Sequence, residues 1–250
     1  MAIRPKRGAG ETFGSEAPAA THPRPALLVV VRHGESVRNT FDVHDGIEKM
    51  PREIATTPDH LIPLTEQGER QARNTGIGLR EEFGGFDIVF HSPWLRTTQT
   101  AKLIAEALPP NTPLRRNLFL TEQHFGQLDP ALWPHRLDRY EAAYQLFELQ
   151  REIMGRFYCR PPDGESWADV CIRTHQFLGI LFRPDYAGKR VLLVTHGVTQ
   201  QSFRYHLEYP TEEELVEEYQ RDRNRNCGVG AYTHAAGDRW KLLFWNKTYY

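Results

Sequence analysis

The sequence predicts an α/β protein with a mostly parallel sheet, and three observations carry that prediction. Leu27–Val31, Phe86–His91 and Arg190–Thr195 are short runs dominated by aliphatic and aromatic residues, the pattern of strands covered on both faces. Between them lie stretches with helical spacing and recognisable caps, which gives the strand–helix alternation of a parallel sheet. Each run also stops at chemically capable residues: Arg32-His33, Ser92 with Arg96, and His196. Ligands of open parallel sheets bind beyond the carboxyl ends of the strands, so these groups are expected at one edge.

Taken in order, residues 1–25 are rich in Gly, Ala, Pro and Arg without an apolar period. They read as a flexible leader, with residues 26–250 forming a single domain. After the first strand, Ser36–Asn39 should open a helix whose free N–H groups face His33 and suit an anion. Residues 42–63, with Pro51, Pro58 and Pro63, read as a long surface loop at the mouth of the crevice. Thr65 can N-cap the next helix, whose stripe of Ala72, Leu79 and Phe83 ends at Gly84-Gly85. Ser92 as N-cap and Pro93 at the first helical position predict another helix to about Leu108. Thr112–Leu120 is extended and leads into Thr121-Glu122.

Residues 128–160 look like a helical cap insertion whose apolar face, Leu137, Tyr140, Tyr144 and Phe147, reads as packing. Ser166 caps a helix with Trp167, Val170, Phe177 and Leu181 on one side. Thr211 and Glu214 form a capping box for a further helix. Val229–Thr233 and Trp240–Trp245 close the sheet, the last as an antiparallel partner across Gly237-Asp238.

Thirty-one Lys and Arg against 32 Asp and Glu leave a net charge of −1, so nothing global draws the chain to nucleic acid or an anionic membrane. No apolar run approaches the ~20 residues of a membrane span, and no apolar segment follows the basic N-terminus as in a secretory signal. Cys159, Cys171 and Cys227 are odd in number and unpaired in spacing, which points to a reducing cytoplasm. Neither metal-ligand spacing nor a dinucleotide or P-loop motif occurs, so no metal and no cofactor is expected. The oligomeric state is not legible.

Two imidazoles and two guanidiniums at one sheet edge suit phosphoryl transfer. Arginine forks match phosphate oxygens bidentately and stay charged. His33 can attack phosphorus and form a phosphohistidine, while His196, protonated, helps neutralise the equatorial oxygens. A leaving alkoxide needs a proton, and Glu122 is the candidate acid.

Arg32-His33-Gly34-Glu35 with Asn39, Leu64-Thr65 with Gly68, Ser92-Pro93-Trp94-Leu95-Arg96 with Gln99-Thr100-Ala101, Glu122 with Phe125-Gly126, Gly164-Glu165-Ser166 and Thr195-His196-Gly197 occur in this order. Together they resemble the histidine phosphatase superfamily, the phosphoglycerate-mutase-like group, over about residues 26–235. The resemblance implies a three-layer α/β/α sandwich with His33 as the phosphorylated nucleophile. It further implies a phosphate pocket of Arg32, Arg96, His196 and Gly197, with Asn39 as an additional donor and Glu122 as proton donor. The stretch after Asn39 departs from that of cofactor-dependent phosphoglycerate mutases. Residues 57–72, 121–129 and 156–170 are instead similar to the broad-range phosphatases of the group. The expectation is a metal-independent hydrolase of small phosphomonoesters. The alternatives are a phosphoglycerate mutase and, more remotely, a non-catalytic phospholigand-binding module, whose expected mark, loss of His33 or Glu122, is absent.

Overall fold

Leu28 and Val30 point to one face of the first strand and Leu27, Val29 and Val31 to the other, and all five are buried. A strand with a core on each side belongs in the middle of a layered structure. The computed structural model describes residues 23–41, 50–135, 137–234 and 239–250. Its six strands are β1 (Leu27–Arg32), β2 (Ile88–His91), β3 (Leu114–Arg116), β4 (Arg190–Thr195), β5 (Val229–His234) and β6 (Trp240–Lys247), in the spatial order β3-β2-β4-β1-β5-β6. The first four run parallel, whereas β5 is antiparallel to both β1 and β6. The expected leader up to residue 22, loop residues 42–49 and the Gly237-Asp238 turn lie outside the described residues.

The helices are α1 (Arg52–Ala55), α2 (Glu66–Phe83), α3 (Leu95–Ala105), α4 (Leu137–Met154), α5 (Trp167–Leu181), α6 (Gly197–Glu208) and α7 (Glu212–Arg221). Val29 and Val31 share a buried cluster with Leu79 of α2 and with Ala101 and Ile104 of α3. Leu28 and Val30 share another with Phe177 and Leu181 of α5 and Phe203 of α6. These clusters are the two interfaces of an α/β/α sandwich. Each fully buried aliphatic side chain stabilises it by about 1.5–3 kcal/mol.

Local rules account for most boundaries. The Thr65 hydroxyl accepts the Gly68 N–H and starts α2, and Gly84 ends it at a φ of 75°. Ser166 with Asp169 and Thr211 with Glu214 form the capping boxes of α5 and α7. A Cβ on Gly34 would sit 2.4 Å from the Gly68 carbonyl oxygen, so two glycines allow α2 to press against the turn that carries His33.

Two helix starts differ from expectation. Ser36–Asn39 does not open an α-helix, because Ser36 caps only a single 3-10 turn, Val37–Thr40. Ser92 does not cap α3; Trp94 occupies that position with extended backbone, and the Ser92 hydroxyl instead lies 2.9 Å from His196 Nε2 and accepts the Trp94 N–H at 3.4 Å.

Candidate active site

The register of the central strands brings the reactive residues together. Arg32 lies opposite Thr195 across β1 and β4, and His91 opposite Val194 across β2 and β4. The ladder continues one step further, with the His33 N–H on the Thr195 carbonyl (2.9 Å) and the Ser92 N–H on the Val194 carbonyl (3.1 Å). His33 and His196 therefore leave adjacent strands at one level, and their rings stand edge to face at 5.2 Å.

His33 is 3% exposed. Its Nδ1 lies 2.7 Å from the Gly34 carbonyl oxygen, which can only accept, so Nδ1 carries the proton and Nε2 presents a lone pair. Burial, then the neighbouring Arg96 and Arg32, push this imidazole well below its ordinary range, so it stays neutral. His196 is completely buried, with Nε2 2.9 Å from the Ser92 hydroxyl and Nδ1 without a partner. Burial and Arg96 also push it well below the usual imidazole range. Burial thus favours the neutral form of His196, whereas the sequence led to the expectation of a protonated ring.

Neutral buried imidazoles have a stability consequence. The unfolded chain takes up protons near pH ~6.5 whereas these rings resist them, so their contribution is intact above that pH and lost as pH falls toward their depressed values. The fall in Tm between about pH 7 and 5.5 is expected to be smaller in His196→Gln than in the parent chain, up to ~1.4 kcal/mol per pH unit being removed with the ring.

Arg96, 5% exposed, donates from Nε to His33 Nε2 at 3.2 Å. Its outer edge is taken by Asp59: Nη1 donates to the backbone carbonyl (2.7 Å) and Oδ1 (3.2 Å), and Nη2 to Oδ2 (3.2 Å). Asp59 also accepts from Arg38 at 2.9 Å. Trp94 lies over the Arg96 guanidinium and 4.8 Å from the His196 ring.

Arg32 donates from Nη1 to the Asn224 carbonyl, and its buried Nε has no partner. Asn224 is held in turn by Gln201 and donates to the Gln200 side chain and the Gly197 carbonyl, while Gln200 donates to Val30 and Gly228 carbonyls. This buried chain of amides sets where Arg32 points. Asn39 gives its Oδ1 to the Ser36 N–H and hydroxyl, so its amide nitrogen is left for the cleft it lines.

Glu122 arrives from a different segment. Its Oε1 accepts the Gln123 and Thr199 N–H groups and Oε2 the Val198 N–H, fixing the carboxyl against the first turn of α6. That helix turn, rather than the one after β1, supplies the N–H groups at the site, and it spends them on Glu122. Oε2 and Arg32 Nε lie 3.6 and 3.9 Å from where a Gly197 Cβ would be. Glu165 locks the segment carrying Glu122 by accepting the His124 N–H and Arg173, and Arg173 reaches the Phe119 carbonyl.

Six of the seven residues singled out from the sequence, His33, Arg32, Arg96, His196, Gly197 and Glu122, thus converge, and Asn39 lines the same cleft as Arg32. Asp59, Trp94, Asn224, Gln200 and Tyr219 were not singled out; the only signal was that Asp59 and Trp94 fall inside the motifs quoted for the resemblance. The site opens into a cleft of about 1580 Å³ lined also by the cap. Tyr140 and Tyr144, read as packing, are stacked on each other and line this cleft, whereas Phe147 packs in a small core with Leu128 and also borders it. Among the described residues no group of His, Cys, Asp and Glu is arranged to hold a metal ion, and no helix is long and apolar enough to cross a membrane.

Comparison with known proteins then decides the family. Residues 28–248 match the family model described as the histidine phosphatase superfamily, branch 1. The chain belongs to that superfamily of enzymes. It is 30% identical over 200 residues to the phosphoglycerate mutase-like protein AT74H of Arabidopsis thaliana, a match covering 72% of this chain and 64% of that protein. It is 33% identical over 174 residues to a 2,3-bisphosphoglycerate-dependent phosphoglycerate mutase of Methylobacterium radiotolerans, covering 68% and 74%. The superfamily fold is also that of the mycobacterial glucosyl-3-phosphoglycerate phosphatase solved with inorganic phosphate, with a TM-score of 0.64, 22% identity and coverage of 89% and 98%. This superfamily member thus has relatives named as mutases and a structural neighbour named as a phosphatase.

Proposed function

We propose that this chain is a metal-independent phosphomonoester hydrolase working through a phosphohistidine at His33. The observation that carries the reading is a neutral imidazole whose Nε2 lone pair faces the pocket and meets only Arg96 Nε, beside two buried polar nitrogens, Arg32 Nε and His196 Nδ1, that have no partner among the described residues. Buried orphan donors are costly unless a ligand satisfies them, and a phosphoryl group supplies acceptor oxygens.

In the proposed cycle His33 Nε2 attacks phosphorus and the ester P–O bond breaks. The leaving oxygen takes a proton from Glu122. Water then attacks the phosphohistidine, returns a proton to Glu122 and releases phosphate. Arg32, Arg96, His196 and Asn39 hold the three equatorial oxygens, with Gly197 leaving room beside them. Water reaches the site through a mouth whose rim residues Asn39, His124 and Phe125 are exposed.

The mutase names of the sequence relatives favour a second reading, in which the phosphoryl group returns to a bound intermediate. Phosphate release separates the two. The hydrolase reading predicts inorganic phosphate from several monoesters, undiminished by EDTA. Interconversion of phosphoglycerates without phosphate release would establish the mutase instead. The reducing cytoplasm, consistent with three buried free cysteines, is part of the same proposal.

Asp59 occupies the edge of Arg96 that an incoming dianion would use. Asp59→Asn removes that competing charge, and inorganic phosphate is expected to inhibit about tenfold more tightly, measured as its inhibition constant against an aryl phosphate. Weaker inhibition would mean that Asp59 orients Arg96 rather than competing for it.

A further inference from the structure

In the proposed cycle several donors hold the phosphoryl oxygens, but only Glu122 holds the attacking water. That carboxylate is already occupied on three sides, with Oε1 accepting the Gln123 and Thr199 N–H groups and Oε2 the Val198 N–H. Oε2 is left with one lone pair for a proton. A single such contact fixes one O–H bond of a water and lets the molecule turn about it, so its lone pair points at phosphorus only part of the time. A second polar group beside Oε2 would remove that freedom.

Tyr219, near the end of α7, brings a hydroxyl to that place. Its oxygen lies 3.9 Å from the position of a Gly197 Cβ, with Glu122 Oε2 at 3.6 Å and Arg32 Nε at 3.9 Å from the same point. The side chain lines the cleft, and among the described residues no hydrogen bond occupies its hydroxyl. The ring is held on two sides, edge to face with the buried Trp167 at 5.1 Å and under the Arg156 guanidinium at 5.4 Å. It also packs on the cluster that contains Leu215 and Val198, and Val198 is the residue whose N–H holds Glu122 Oε2. The packing that places the carboxylate thus places the hydroxyl beside it, and a tyrosine has only two side-chain torsions to order.

We infer that the Tyr219 hydroxyl is a catalytic group that, together with Glu122, orients the water attacking the phosphohistidine and so directs the phosphoryl group to water rather than to an alcohol. The inference rests on the reading of His33 as the nucleophile. Water carries two hydrogens: one passes to Glu122 Oε2, the other donates to the Tyr219 oxygen, and a lone pair is left aimed at phosphorus. As the new O–P bond forms, the bond from phosphorus to His33 Nε2 breaks, its electron pair returns to the ring, and phosphate is freed. The ester oxygen that occupies this place in the first step is different. It is tethered by two covalent bonds, and its departure needs a proton from Glu122, not a second acceptor. An alcohol has a single O–H, which Glu122 takes. Tyr219 therefore favours the hydrolytic step, the step in which a phosphatase and a mutase differ.

Tyr219→Phe keeps the ring that Trp167 and Arg156 hold and removes only the oxygen. In rapid-quench kinetics with a radiolabelled aryl phosphate, release of the aryl alcohol in the first turnover is expected to stay within about threefold of the parent, while decay of the labelled phosphohistidine slows about tenfold. With methanol present at a fixed concentration, the ratio of methyl phosphate to inorganic phosphate should rise about tenfold. That ratio is set within the molecules that turn over, so a partly unfolded preparation does not alter it. Tyr205→Phe, which loses a hydroxyl bonded to Glu212 at 2.8 Å, should leave both readings unchanged. Parent-like decay with an unchanged ratio in Tyr219→Phe would overturn the inference. So would decay slowed for water and methanol alike, or an equal rise in Tyr205→Phe, since a residue that only packs the cleft wall acts on both acceptors. If the parent chain carries no acid-labile label in the same quench, it is the His33 reading that fails, and the role of Tyr219 falls with it.

Discussion

His33→Ala is expected to lower phosphomonoester turnover by about four orders of magnitude or more, because it removes the atom that bonds to phosphorus rather than a group that assists. The fold should survive the change. His33 is tied into the structure by its main chain, with its N–H on Thr195 and its carbonyl accepting the Cys227 N–H at 3.1 Å, and neither bond involves the ring. The variant should therefore unfold cooperatively within a few degrees of the parent. Brief incubation with a radiolabelled monoester and quenching in alkali should label the parent chain and not the variant, and the label should be lost in acid as expected of a phosphoramidate. A variant that still labels would move the nucleophile elsewhere. An inactive variant that also fails to melt cooperatively would not bear on the assignment, so the melt belongs in the same experiment.

How much of this was visible in the sequence follows from how local each determinant is. The strands could be read because β1 and β4 are buried on both faces, which leaves nearly continuous apolar runs, and the helix starts because Thr65, Ser166 and Thr211 act on N–H groups three residues away. The convergence of His33, Arg96 and His196 followed from the general geometry of parallel sheets. Contacts between distant residues were out of reach. Asp59 meets Arg96 across 37 positions, and the Arg32 guanidinium is aimed by Asn224, 192 positions away. Ser92 shows a local rule that fails in tertiary context: its hydroxyl is suited to cap α3, but it meets His196 Nε2 and the Trp94 N–H instead. The surroundings of His196 were out of reach for a related reason, since complete burial beside Arg96 is a tertiary fact that composition and spacing do not encode.

Glu122→Gln should separate substrates by leaving group. An alkoxide departs only with a proton, whereas an activated aryl oxide departs without one, so the loss should be about a hundredfold or more for alkyl phosphates and within about tenfold for activated aryl phosphates. The placement of Glu122 makes the amide a fair probe. In the parent both carboxyl oxygens accept N–H groups from Gln123, Val198 and Thr199; glutamine has a single carbonyl for them, and its NH2 group would face donors. Some loosening of the α6 turn is therefore expected, and it would affect all substrates alike through phosphate binding. The differential loss is what isolates the acid role. Equal losses for alkyl and aryl esters, with phosphate inhibition weakened in parallel, would leave Glu122 as a residue that positions the Gly197 turn and would require the proton to come from another group.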